Sequence, residues 1–235
     1  VKVGITAGFG GLIGSDVLKA LKDNGWQIVR TGKSAAQTTP MATLVDEVHQ
    51  AGLQALIYCD STQVDEVPTG VLGAEVSHPI PMKMGTEPVG VPLRPGASTY
   101  DLKLDADEFA RVMNLAVPSL KSKGIPAWTC MTGLETSTLA WTAEVLKTLD
   151  PYYGISVHRY PPGGAEEVSA SNAGGREAEV ARLKAVIGAR PFMVGECGWN
   201  QGAYQRFWDR LLFRHRHLTD ARLRELTIGE LLFFY

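Results

Sequence analysis

Cysteine and excess charge are both scarce in this chain. Only Cys59, Cys130 and Cys197 occur among 235 residues. An odd count at wide spacing gives neither a disulfide framework nor a zinc-type spacing. All three fall within or just beyond segments that read as strands and are expected as small, partly buried residues, with Cys197 the one to watch because it follows Glu196. A net charge of −2 offers no electrostatic basis for holding nucleic acid or an anionic membrane. No apolar run approaches the roughly 18 residues of a membrane span. The five histidines, His49, His78, His158, His215 and His217, show no His-Glu-x-x-His spacing, so no metal and no cofactor is expected. The chain opens on a strand-like VKVGIT in which no signal-peptide pattern is visible, and no linker or fixed-period repeat is expected along it.

What the chain does have is alternation. Hydrophobic residues make up 45%, an ordinary globular share. Strand-like segments are Val1–Thr6, Gln27–Arg30, Ala55–Cys59, Pro81–Gly85, Pro126–Cys130, Ile155–Arg159, Phe192–Glu196 and Leu231–Tyr235. Between them run stretches with one apolar face at helical spacing: Ser15–Asn24, Thr43–Gln50, Glu108–Lys121, Leu139–Leu149, Glu177–Ile187 and Tyr204–Phe213. Gly25, Gly52, Gly124 and Gly188 close four of these just before the next strand, as left-handed C-caps do. Strands alternating with helices imply parallel pairing through crossover helices. Eight such strands predict an α/β protein with a (β/α)8 TIM barrel spanning residues 1–235 as one domain, lacking the final helix. Val67–Gly73, Pro88–Tyr100 and Pro161–Gly175 read as long loops. The latter two come after strands four and six, on the face where barrel enzymes keep their sites.

One stretch competes with this reading. Gly8, Gly11 and Gly14 lie between a strand and a helix, and that spacing resembles the glycine turn of extended short-chain dehydrogenases, which bind NAD(P). The second strand, however, ends Val29-Arg30-Thr31-Gly32-Lys33 rather than in an acidic residue. The Tyr-x-x-x-Lys pair of that family is also missing, since Tyr100, Tyr152, Tyr153 and Tyr160 are followed four residues on by Leu104, Ser156, Val157 and Gly164. A loop after the first barrel strand is the simpler expectation.

Two glutamates carry the chemistry. Glu87, in MKMGTEPVG, and Glu196, in PFMVGECGWN, each come after a short apolar stretch where a strand would end. Carboxylates at the tips of different parallel strands can face each other across a cleft and cleave a glycosidic bond. A separation of about 5–5.5 Å would imply retention of configuration, and about 6.5–9.5 Å inversion. The anionic charge of Glu196 would hold Glu87 protonated at working pH. Asp60 and Glu135 also stand after strands and are rivals for the acid. Trp128 and Trp141 are expected to pack, and His215 and His217 to sit on a solvated helix end.

These pieces, with the segments LVDEVHQAGLQALIYCD, Gly85-Thr86-Glu87-Pro88, YYGISVHRYP and PFMVGECGW in that order, make the chain similar to retaining glycoside hydrolases of the (β/α)8 group, whose catalytic glutamates lie on strands four and seven. The resemblance implies a carbohydrate substrate, Glu87 as acid/base and Glu196 as nucleophile. Arg30 would keep Glu196 ionised and oriented. His158 and Tyr160 would contact the nucleophile or the sugar, Trp199 would stack on a sugar face, and Tyr235 would lie near the floor of the site. Two carboxylates need no cofactor. Related enzymes are often exported, though nothing in these residues shows export or an oligomeric state. The chain departs from the family in having Thr86 where Asn usually contacts a sugar 2-hydroxyl. That departure is one support for an alternative, a non-catalytic or degenerate carbohydrate-binding barrel.

Overall fold

The computed structural model of the protein describes residues 4–9, 11–33, 37–78, 106–132, 136–159 and 175–197. Among the described residues, seven strands form one parallel sheet: β1 (Gly4–Phe9), β2 (Ile28–Gly32), β3 (Gln54–Asp60), β4 (Gly73–Ser77), β5 (Ala127–Thr132), β6 (Tyr153–Arg159) and β7 (Phe192–Cys197). Their spatial order is their order in the chain, and every pairing is parallel. The sheet curls as in a TIM barrel, with helices as the crossovers. These are α1 (Ser15–Asp23), α2 (Met41–Gln50), α3 (Ala106–Asn114), α4 (Val117–Ser122), α5 (Thr136–Val145) and α6 (Gly175–Ile187). The expected strand Leu231–Tyr235 and helix Tyr204–Phe213 lie outside the described residues.

The barrel expectation holds, and the dinucleotide alternative does not. A doubly wound nucleotide fold reverses its strand order at the binding crevice, whereas this sheet runs β1 to β7 without reversal. The glycine turn is held by a carboxylate of the chain itself. Glu47 on α2 accepts hydrogen bonds from the backbone N–H groups of Ile13 and Gly14, both at 2.8 Å. Those donors at the start of α1 are the ones a bound phosphate would need.

Two expected elements are corrected. The fourth strand is Gly73–Ser77, not Pro81–Gly85, which lies outside the described residues, and the predicted loop Val67–Gly73 runs into its first residue. GAEVS carries a glutamate and a serine in a strand buried at every position, so its composition conceals it. The single helix predicted over Glu108–Lys121 is two helices, α3 and α4. Pro118 stands in the first turn of α4, where its missing N–H costs nothing, while inside a continuous helix it would break the ladder. The chain turns between them through 3-10-type bonds from Leu115 N to Val112 O and from Ala116 N to Met113 O.

Alternation along the strands builds two faces. Val29, Ala55, Ile57, Cys59, Ala74, Val76, Ala127, Ile155 and Val157 join the apolar core with Leu18, Val48, Phe109, Met113, Leu120 and Leu183 of the helices. Phe109 makes an edge contact with Trp141, ring centres 5.0 Å apart, so Trp141 packs as expected. The opposite face, inside the curl, carries Arg30, Tyr58, Glu75, Trp128 and Ser156, as the strand registers require. Trp128 lies over glycines of both neighbouring strands. A Cβ on Gly73 would come within 2.4 Å of its ring, and one on Gly154 within 2.5 Å. The indole fills the interior because those two positions have no side chain.

Candidate active site

A buried polar cluster crosses the interior of the curl. The Arg30 Nε donates to Glu75 Oε2 at 2.5 Å, and the Ser156 hydroxyl donates to Glu75 Oε1 at 2.6 Å. The Arg30 guanidinium lies 4.7 Å above the centre of the Tyr58 ring. Arg30 thus reaches from β2 across β3 to β4, and Glu75 passes the connection on to β6. Glu75 has no solvent exposure and Arg30 only 3%. A charge so deep is tolerated only when an opposite charge and hydrogen bonds compensate it, and each Glu75 oxygen has a donor of its own.

This arrangement gives Arg30 a partner that the sequence does not announce. Arg30 is an interior residue that holds a carboxylate, that of Glu75, while the side chain of Glu196, its expected partner, lies outside the described residues. Sequence reasoning misses Glu75, Ser156 and Tyr58 as members of an interior cluster. A signal for Glu75 is present, since an acidic residue between Ala74 and Val76 raises the same burial problem as one after Phe192–Val194.

Two residues past Ser156, at the C-terminal end of β6, the backbone of His158 is the register partner of Glu196 on β7. Val157 pairs with Val194, so Gly195 is an extra residue on β7 and the register shifts there. Such a bulge re-aims the residues beyond it and is common beside active sites. Without the shift, Gly195 would stand opposite His158. Two expected site residues, one from each of two adjacent strands, are thereby brought to one register position at the end of the sheet where barrel enzymes work. Thr86, Glu87, Tyr160, Trp199, Tyr235 and the rival acid Glu135 lie outside the described residues.

The ends of β2, β3 and β4 on this side carry polar groups. After β2 the Lys33 ammonium, buried, pairs with Glu66 at 2.6 Å. Asp60, the other rival acid, closes β3 with a local turn, accepting bonds from the Thr62 N–H at 3.0 Å and from the Thr62 hydroxyl. Cys59, one residue earlier, is a free, fully buried thiol. Burial first, then the neighbouring Asp60, raises its pKa well above the ordinary thiol value, so it is inert as a nucleophile. After β4 stands His78, stacked on Phe109 at 5.7 Å. Burial lowers its pKa, opposed only in part by Glu108.

At the opposite end of the sheet a shallow depression of about 430 Å³ is lined by Lys22, Trp26, Gln27, Gly52 and Gln54. It adjoins the starts of β2 and β3, far in the chain direction from the polar strand ends, and belongs to no cluster of titratable groups. Among the described residues no three His, Cys, Asp or Glu side chains gather to hold a metal ion, and no helix is long and apolar enough to cross a membrane.

No protein-family profile and no curated protein matches the chain. Among solved structures it is similar to a thermostable, highly halotolerant GH5 cellulase from an Icelandic hot spring isolate. The TM-score is 0.52 and the identity 14%, over 84% of this chain and 66% of the cellulase. The chain thus spans just under two thirds of that enzyme's length. A D-allulose 3-epimerase from Methylomonas sp. aligns with a TM-score of 0.46 and 16% identity over 100% of this chain and 98% of its own. The citrate synthase SbnG aligns at 0.39 and 12%, over 97% and 91%. At such identities the likeness to the cellulase establishes the shared fold.

Proposed function

We propose that the chain is a carbohydrate-active barrel that cleaves a glycosidic bond with retention, the whole of residues 1–235 serving as one catalytic-type domain. In this reading Glu196 attacks the anomeric carbon, and Glu87 first protonates the leaving oxygen and then deprotonates the attacking water. The supporting observation is the bulge that brings Glu196 into register with His158 at the ends of β7 and β6, beside an interior already organised around a buried arginine–carboxylate pair. Glu87 belongs to the connection between Ser77 and Ala106, which leaves the C-terminal end of β4 and therefore starts on the same side of the sheet as Glu196. The sugar would contact Thr86, Tyr160, Trp199 and Tyr235. Arg30 would act on Glu196 through the interior cluster. The cellulase of like fold is consistent with a carbohydrate substrate.

The test is covalent trapping. Incubation with activated 2-fluoro glycosides, with peptide mass spectrometry as the readout, is expected to label the peptide that contains Glu196. Glu196→Gln is expected to lower turnover of aryl glycosides by about a thousandfold or more while leaving the circular dichroism spectrum unchanged. Wild-type rates in that variant would refute the assignment. One observation favours a second reading, a barrel that binds carbohydrate without turnover: β4 ends in Ser77, followed by His78, rather than in a carboxylate. Measurable sugar binding with neither adduct nor turnover would select it.

A further inference from the structure

The geometry points to Glu75 as a positioning residue for the rim that carries His158 and Glu196. The inference rests on the proposed glycosidase reading for its kinetic consequence, while its structural consequence stands apart from that reading.

An extra residue in one strand leaves the ladder locally disrupted, so backbone pairing alone holds the strand ends beyond a bulge weakly. Here the register shift lies between Val157 and His158, immediately past Ser156. The Ser156 side chain is the last described side chain on that face of β6 before the shift, and it is anchored. Its hydroxyl donates to Glu75 Oε1, while the other oxygen of the same carboxylate receives the Arg30 Nε. Glu75 is itself immobilised, because it is fully buried and in register with Tyr58 on β3 and Trp128 on β5. Tyr58 in turn lies under the guanidinium. The carboxylate therefore ties β2, β4 and β6 together at a point one pleat below the irregularity. A hydrogen bond to a buried, charged acceptor is stronger and more directional than one between neutral groups. A small displacement at a catalytic carboxylate costs turnover more than binding.

The tests use Ser156→Ala, which cuts this link but leaves the ion pair in place, with Ser156→Thr as the conservative variant. In hydrogen–deuterium exchange, Ser156→Ala is expected to raise exchange of the amides at the ends of β6 and β7, those of His158 and Glu196 included. The amides of β2 and β3 should stay at wild-type rates, and Ser156→Thr should restore protection. A uniform rise across the whole sheet, or no rise at all, overturns the inference. In the kinetic arm, kcat for an aryl glycoside is expected to fall about tenfold with KM within about twofold, and Ser156→Thr is expected to recover most of it. A change confined to KM overturns a positioning role. An absence of glycoside turnover in the wild type would overturn the proposed reaction instead, and the exchange arm would still decide the role of Glu75.

Discussion

Replacing Glu75 by glutamine tests whether the interior pair is held together by charge. The substitution keeps size and leaves an oxygen to accept from Ser156, but it removes the anion held against the Arg30 cation, which is only 3% exposed. With the charge centres about 4 Å apart, an effective dielectric near 20 gives an attraction of about 4 kcal/mol. In the native protein the cost of removing both ions from water offsets much of that, so the pair as a whole contributes little. Losing one partner exposes the uncompensated cost, typically about 3–5 kcal/mol. Because glutamine retains one acceptor, a loss of about 3 kcal/mol is expected. At a urea m-value of about 2–3 kcal/mol/M for a chain of this size, the unfolding midpoint drops by about 1–1.5 M. The double variant Arg30→Met with Glu75→Leu removes both charges and fills the space with apolar atoms, and is expected to recover to within about 1 kcal/mol of wild type. The assay is urea denaturation monitored by far-UV circular dichroism on all variants. Two results would refute the reasoning: a midpoint for Glu75→Gln within about 0.2 M of wild type, or a double variant as unstable as the sum of its singles.

Two further outcomes are expected elsewhere in the sheet and its surroundings. Burial lowers the folded-state pKa of His78 from its ordinary 6.5, so the unfolded chain takes up the proton more readily. The stability this residue contributes is therefore fully present above about pH 6.5 and is lost as the pH falls below it. Phe109→Ala should move the His78 pKa back toward its ordinary value, read by NMR titration of the ring, and an unmoved titration would show that Phe109 does not shield it. Gly154→Ala places a methyl within 2.5 Å of Trp128 and is expected to cost about 1–3 kcal/mol. Trp128→Leu should relieve the part of that penalty owed to the ring but not the contact of the same methyl with the Pro191 carbonyl at 2.8 Å, and a melting temperature unchanged by Gly154→Ala would contradict the packing described.

Helix ends are legible in the sequence because their chemistry is local. Gly25, Gly52, Gly124 and Gly188 adopt φ of 86°, 72°, 65° and 62°, the left-handed conformation that stops a helix at little cost. The barrel is legible because alternation of strand and helix dictates parallel neighbours. β4 is not, since its Glu75 and Ser77 are satisfied by partners far along the chain rather than by solvent, and the apolar run around Met82 and Met84 reads more readily as a strand in the sequence. The partner of Arg30 is equally hidden. Adjacency between β2 and β4 across the curl depends on the curvature of the sheet, which no spacing between residues 30 and 75 encodes. His158 and Glu196 are recognisable as strand-end residues, but their meeting depends on a single glycine inserted in β7, and a period-two pattern read along the sequence gives no warning of it.

Because each strand's ladder partner is also its nearest strand in the chain, the protein can be assembled vectorially during synthesis. Once residue 32 has emerged from the ribosome, the first pair of strands exists, and each later strand docks on an edge already waiting for it. The longest wait falls between Ser77 and Ala127. Over that interval β4 presents an open edge to solvent or to a chaperone, and the nascent chain is then most exposed to adventitious strand pairing.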